Sequence, residues 1–124
     1  MTVVYTDDDS DGRDLFTAAI NETLPGTRLL YANHGKELLS LLQNADELPD
    51  YIFLDINMPV MDGKDCLLKL KTIDHLSEIP VIVYTTTSNK IELQKYIAMG
   101  AHAYIVKENS FQGIKNSLKR VLSA

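Results

Sequence analysis

The sequence predicts an α/β domain, a five-stranded parallel sheet with helices on both faces, and three observations predict it. Short apolar runs alternate with segments of helical spacing five times within 124 residues. Almost no spacer separates one unit from the next. Four of the five apolar runs end in a polar group able to do chemistry: Asp7 and Asp8 after the first, Asp55 on the third, Thr85 on the fourth and Lys107 after the fifth. Right-handed crossovers between parallel strands put the intervening helices on both sides of the sheet.

Taken in order, residues 2–6 form the first strand, and Leu15, Phe16, Ala19, Ile20 and Leu24 follow at helical spacing until Pro25 and Gly26 break the helix. RLLYA at 28–32 is the second strand, and its helix carries Leu38, Leu39, Leu41 and Leu42. The third strand ends on Asp55, and a helix from about Gly63 to Ile73 buries Cys66, Leu67 and Leu70. Pro80 precedes the fourth strand. The segment 89–99 is helical but less apolar, with Ile91, Tyr96 and Ile97, and Gly100 stops it. The fifth strand is 103–106. The last helix sets Phe111, Ile114, Leu118, Val121 and Leu122 on one face, with Lys119 and Arg120 at its negative carboxyl end. Five such units fit the flavodoxin-like strand order 2-1-3-4-5, whose switch point lies between strands 1 and 3.

Length and composition bound what such a domain can do. The chain, 1–124, reads as a single domain without low-complexity linkers or repeats. Seventeen acidic against 12 basic residues, a net charge of −5, work against binding a phosphate backbone, so direct nucleic-acid binding is not expected. The lone Cys66 forms no internal disulfide, which suits a reducing compartment. No apolar stretch approaches the roughly 18 residues a membrane span needs, and the expected localisation is cytoplasmic.

The switch point is where ligands bind in open α/β sheets, and strands 1 and 3 deliver Asp7, Asp8 and Asp55 to it. Carboxylates about 4 Å apart repel by about 4 kcal/mol per pair at an effective dielectric near 20, so a cation belongs among them. An all-oxygen donor set suits Mg²⁺, which binds through one or two carboxylates plus a phosphate. Lys107 can neutralise another part of the same anion and the Thr85 hydroxyl can donate to it, a combination that reads as phosphoryl transfer. Other patterns are decoys or bland. DDDSDG matches the start of a calcium loop from Asp7, but the twelfth position holds Ala18 where a bidentate Glu is needed. Asp9, Ser10 and Asp11 read as helix caps, and His34, His75 and His102 lack metal-ligand spacing.

Asp7 and Asp8, the DINMPVMDG segment around Asp55, Thr85 after its apolar strand, MGAHAY before the fifth strand and Lys107 at its end stand in the order and spacing of a known family. Along essentially its whole length the chain resembles the receiver domains of two-component response regulators, in particular stand-alone receivers of the chemotaxis type. The resemblance implies that Asp55 accepts a phosphoryl group from a sensor histidine kinase, a histidine phosphotransfer protein or a small phosphodonor. It implies Mg²⁺ held by Asp8, Asp55 and the carbonyl of Asn57, with Asp7 acting through water. Thr85 and Lys107 would hold phosphoryl oxygens, Asn57, Thr86 and Thr87 would flank the acyl phosphate, and Thr85 with Tyr104 would form a conformational switch. The output would be binding of a downstream protein, by a monomer or a weak phosphorylation-dependent dimer, through a face near which Lys90, Lys95, Lys115 and Lys119 lie.

Two other classes fit less well. A phosphatase of the haloacid dehalogenase type needs D-x-D-x-T/V after the first strand, and Asp11 stands where the Thr or Val belongs. A degenerate, scaffold-only receiver would have lost Asp55, Lys107 or the acidic pair. Two departures from the family pattern remain. Thr86 replaces a smaller residue, and its extra methyl is expected to hinder small donors. Glu108 follows Lys107 where the family carries proline after a cis peptide. A cis bond before a non-proline residue costs about 2.5–4 kcal/mol, so a trans Lys107–Glu108 peptide is expected. Asn109 or Ser110 would then cap the last helix, and Glu108 would compete for the Lys107 ammonium.

Overall fold

The computed structural model describes residues 1–8, 10–56, 63–108 and 110–122, without the side chains of residues 10 and 11. Five strands, β1 (Thr2–Thr6), β2 (Arg28–Ala32), β3 (Tyr51–Asp55), β4 (Val81–Thr85) and β5 (Ala103–Val106), alternate with five helices, α1 (Ser10–Thr23), α2 (Gly35–Gln43), α3 (Gly63–Thr72), α4 (Lys90–Ala98) and α5 (Phe111–Leu122). The strands form one sheet in the order β2-β1-β3-β4-β5, and every pairing is parallel. This is the flavodoxin-like topology the sequence predicts. No helix among the described residues is long and apolar enough to cross a membrane.

The alternation of side chains along each strand divides the interior into two cores. Val3, Tyr5, Phe53, Ile82, Tyr84 and Ile105 face α1 and α5, where Phe16, Ala19, Ile20, Ile114 and Leu118 cover them. Val4, Ile52, Leu54, Val81 and Val83 face Leu38 and Leu42 of α2, Cys66, Leu67 and Leu70 of α3, and Leu93 and Tyr96 of α4. Burial in this second core pushes the Cys66 thiol up to about 12.

Local chemistry sets where the helices start and stop. The Asn89 side chain accepts the Glu92 N–H at 3.1 Å to cap α4, and His34 Nδ1 accepts the Glu37 N–H at 3.2 Å to cap α2, a role the sequence left open. Ser110 Oγ accepts the Gly113 N–H at 3.0 Å over the start of α5, while Asn109 lies outside the described residues. At the far end of α4, Gly100 adopts φ +108°, with its N–H on the Ile97 carbonyl and the Ala101 N–H on that of Tyr96. That pair of bonds is a Schellman closure, and it turns the chain into β5.

The apolar residues expected on α4 are redistributed. Tyr96 is buried, as is Leu93, but Ile91 is 73% exposed and Ile97 is 37% exposed. A helix packed edge-on buries a narrow stripe, and positions 93 and 96, three apart, fill it. Lys115 also departs from expectation: its ammonium pairs with Glu22 of α1 at 2.7 Å, so it faces away from α4.

Candidate functional site

The site sits beyond the carboxyl ends of β1, β3, β4 and β5. Asp55 is the last residue of β3 and is 4% exposed, and Asp7 follows β1 directly and is 1% exposed. The Asp7 N–H donates to the Ala32 carbonyl at 3.1 Å, which extends the sheet pairing by one residue and fixes the backbone from which its carboxylate projects. Asp8 is exposed at the rim. Asp7, Asp8 and Asp55 each bring a carboxylate oxygen within 4.8 Å of the others, the convergence expected of them.

Lys107 stands against this cluster. Its N–H donates to the Thr85 carbonyl at 2.6 Å, and its ammonium lies 3.1 Å from Asp7 Oδ2 and 3.6 Å from Asp55 Oδ1. No peptide bond among the described residues is cis, so the Lys107–Glu108 bond is trans and the lysine is aimed at Asp55 without a following proline. The carboxylate partners of Lys107 are Asp7 and Asp55; the Glu108 carboxylate lies instead over Gly113, at the first turn of α5. Three carboxylates against one ammonium leave a net negative cluster of hard oxygen donors, partly buried. Such a donor set fits a divalent cation of the Mg²⁺ type.

Gly63 binds the end of β3 to the start of α3. Its N–H donates to the Ile56 carbonyl at 2.9 Å, and a Cβ there would lie 2.5 Å from Ile56 Cα and 2.7 Å from the Asp55 carbonyl oxygen. Only a residue without a side chain allows that approach. Asn57, expected as a carbonyl ligand, lies outside the described residues, as does the rest of 57–62.

Thr85 is fully buried at the end of β4, and its hydroxyl accepts the Thr87 N–H at 3.2 Å. A hydroxyl has one proton to donate besides its acceptor sites, so this contact leaves that proton for another group. Thr87 is half-buried, its own hydroxyl accepting the Asn89 N–H at 3.2 Å, and Thr86 is exposed. Tyr104 is half-buried against the core shared by α2, α3 and α4, in register with Val83. Thr85 is in register with Val106 on that same side of the sheet.

Two site residues escaped the sequence reading. The Tyr5 hydroxyl donates to Asp7 Oδ2 at 2.7 Å, and the Tyr84 ring lies 5.3 Å below the Lys107 ammonium. Tyr5 stands two before Asp7, and Tyr84 one before Thr85. A tyrosine at a core-facing strand position needs a partner for its O–H, and that was the signal available. Burial first, then the neighbouring Asp7, pushes the Tyr5 phenol far above its ordinary range. Burial, with Asp7 and Glu108, pushes Tyr84 up to about 12.

Residues 3–119 match the family model of the response regulator receiver domain. The chain is 33% identical to chemotaxis protein CheY1 of Helicobacter pylori over 123 residues, 98% of this chain and 97% of that one. It is 30% identical over 118 residues, 95% of its own length, to sensor histidine kinase CheAY of the same organism, of which it spans only 14%. Among solved structures, the Mn(2+)-bound form of response regulator Rcp1 superposes with a TM-score of 0.86 at 20% identity, over 99% of this chain and 96% of that one. With its flavodoxin-like sheet and its acidic cluster at the switch point, the chain belongs to the response regulator receiver domain family, whose members accept a phosphoryl group on an aspartate and do not turn over an external substrate.

Proposed function

We propose that Asp55 is the phosphoacceptor of a receiver that spans residues 1–124 and switches a protein-binding face. The observation that carries this reading is the placement of Asp55, nearly buried at a strand end, with Asp7 and Asp8 within 4.8 Å and the Lys107 ammonium at 3.6 Å. A carboxylate oxygen of Asp55 attacks phosphorus, the P–N bond of a phosphohistidine breaks, and the imidazole leaves with the electron pair and takes up a proton. Acetyl phosphate serves equally, with acetate leaving. Asp7, Asp8 and Asp55, with the carbonyl of Asn57, would hold Mg²⁺, which when bound neutralises charge on the transferring phosphoryl group; the Mn²⁺ bound to the related Rcp1 supports that reading. Lys107 turns from Asp7 to a phosphoryl oxygen, Thr85 donates its hydroxyl proton to another, Asn57 and Thr87 flank the path of hydrolytic water, and the Thr86 methyl hinders access to the acyl phosphate.

Once Thr85 is drawn toward the phosphoryl group, Tyr104 on the same side of the sheet moves into the space it leaves. A bias of a few kcal/mol suffices to shift two nearly balanced conformations. The donor is a sensor histidine kinase or a histidine phosphotransfer protein, a reading supported by the 30% identity to part of the sensor histidine kinase CheAY, and the recipient of the signal is a protein that binds the switched face. Acetyl phosphate with Mg²⁺ is expected to add one phosphoryl group that base and hydroxylamine remove, read by intact mass. Asp55→Asn should remove it and excess chelator should suppress it; stoichiometric labelling of the Asn variant would overturn the assignment.

A further inference from the structure

The acidic cluster has a buried neighbour that phosphoryl transfer does not use. Tyr5 is 1% exposed, and its hydroxyl donates to Asp7 Oδ2 at 2.7 Å, the same oxygen that Lys107 approaches at 3.1 Å. The ring is held on two sides. It stacks on Phe16 with centroids 4.2 Å apart and 4° between planes, and it meets Tyr84 edge-on at 5.9 Å. With the ring pinned, the position of the hydroxyl is set by the packing of β1 on α1. Asp7 lies just past the last residue of β1, its backbone tied to the Ala32 carbonyl, and the Tyr5 hydroxyl ties its carboxylate to that packed ring.

We propose that Tyr5 is a positioning residue of the cation site, its hydroxyl holding the Asp7 carboxylate in the orientation in which Asp7, Asp8 and Asp55 together take up a divalent cation. The inference rests on the cation reading given above and adds a residue to it. Hydrogen bonds to a ligating carboxylate fix its rotation and so remove the entropy that binding would otherwise have to overcome. The Tyr5 bond has a second consequence. When Lys107 turns to a phosphoryl oxygen, Asp7 Oδ2 loses one of these two donors and keeps the other, so the carboxylate stays in place through the transfer.

The test is Mn²⁺ binding to the full chain without phosphodonor, by calorimetry, for the unmodified protein, Tyr5→Phe, Asp7→Ala and the double variant. Phe keeps the ring and its stack. Tyr5→Phe is expected to weaken Mn²⁺ binding about 10-fold. In the Asp7→Ala background it should change nothing further. Labelling by acetyl phosphate should need about 10-fold more metal for half its maximal rate, with the maximum itself retained. Unchanged Mn²⁺ affinity in Tyr5→Phe overturns the proposal, and so does an equal loss in the Asp7→Ala background, which would place the effect in packing. An unmodified chain that takes up no Mn²⁺ overturns the cation reading as well, a pattern distinct from normal binding with an indifferent Tyr5→Phe.

Discussion

On the side of the sheet under α1 and α5, Tyr5, Phe16, Phe53 and Tyr84 meet ring to ring, with Phe16 and Phe53 centroids 4.9 Å apart. On the other side, under α2, α3 and α4, the core is mainly aliphatic: Leu38, Leu42, Leu54, Leu67, Leu70 and Val83, with the buried Tyr96 among them. The two sides also present different chemistry to the site. Asp55 is in register with Tyr84 on the aromatic side, and Lys107 lies over that ring. Thr85 and Tyr104 belong to the aliphatic side. The charges of the site are thus backed by rigid rings with a hydroxyl and a π face to offer. The pair proposed to move packs on Leu and Val, which offer only dispersion and a smooth surface.

The largest test of that contrast truncates one residue from each side. Phe53→Ala and Leu67→Ala should each lower stability by about 3–5 kcal/mol in chemical denaturation, since both side chains are fully buried. Only Phe53→Ala, by loosening the ring cluster under Asp7, should also raise the metal concentration for half-maximal labelling; equal behaviour of the two variants would break the comparison. A smaller effect is expected at Tyr84. Replacing it with Leu keeps an apolar filling but removes the ring under Lys107, a contact of about 0.5–2 kcal/mol, so labelling should slow by roughly two- to thirty-fold. A rate equal to that of the unmodified chain would mean that the two carboxylates alone hold the ammonium.

The smallest effect is in pH. Cys66 on the aliphatic side and Tyr84 on the aromatic side are both held near 12 in the folded chain. The unfolded chain, with ordinary values of about 8.5 and 10, therefore releases these protons first, and stability must fall as pH climbs through those values toward 12. Up to pH 9 the loss should stay within about 1 kcal/mol and come from the thiol. Cys66→Ala should flatten the stability profile below about pH 10 and leave the steeper tyrosine decline above it. A profile unchanged by that substitution would show that the thiol titrates normally.

Much of this molecule was legible in its residues. Short continuous apolar runs and the breakers Pro25, Gly26 and Gly100 mark strands and helix ends because they act on their own backbone, within a few residues. Asp7, Asp8, Asp55, Thr85 and Lys107 could be assembled in advance because parallel strands all deliver their carboxyl ends to one rim. The stripe on α4 was not legible, since Ile91 and Leu93 are equally apolar and only the angle at which the helix meets β5 selects between them. The Lys115–Glu22 pair joins residues 93 apart and depends on how α1 lies beside α5.

By itself, then, the sequence determined the five strand–helix units, the parallel sheet they build and the types of group gathered at its carboxyl rim, because each follows from local propensity and from the handedness of the crossovers. Only the tertiary structure decided which oxygen of Asp7 meets Tyr5 and Lys107, that Lys107 reaches Asp55 through a trans peptide, and that Tyr84 lies beneath it. Those are matters of a few tenths of an ångström and a few degrees. They are set by close packing of rings and side chains from distant parts of the chain, and no periodicity in the sequence encodes them.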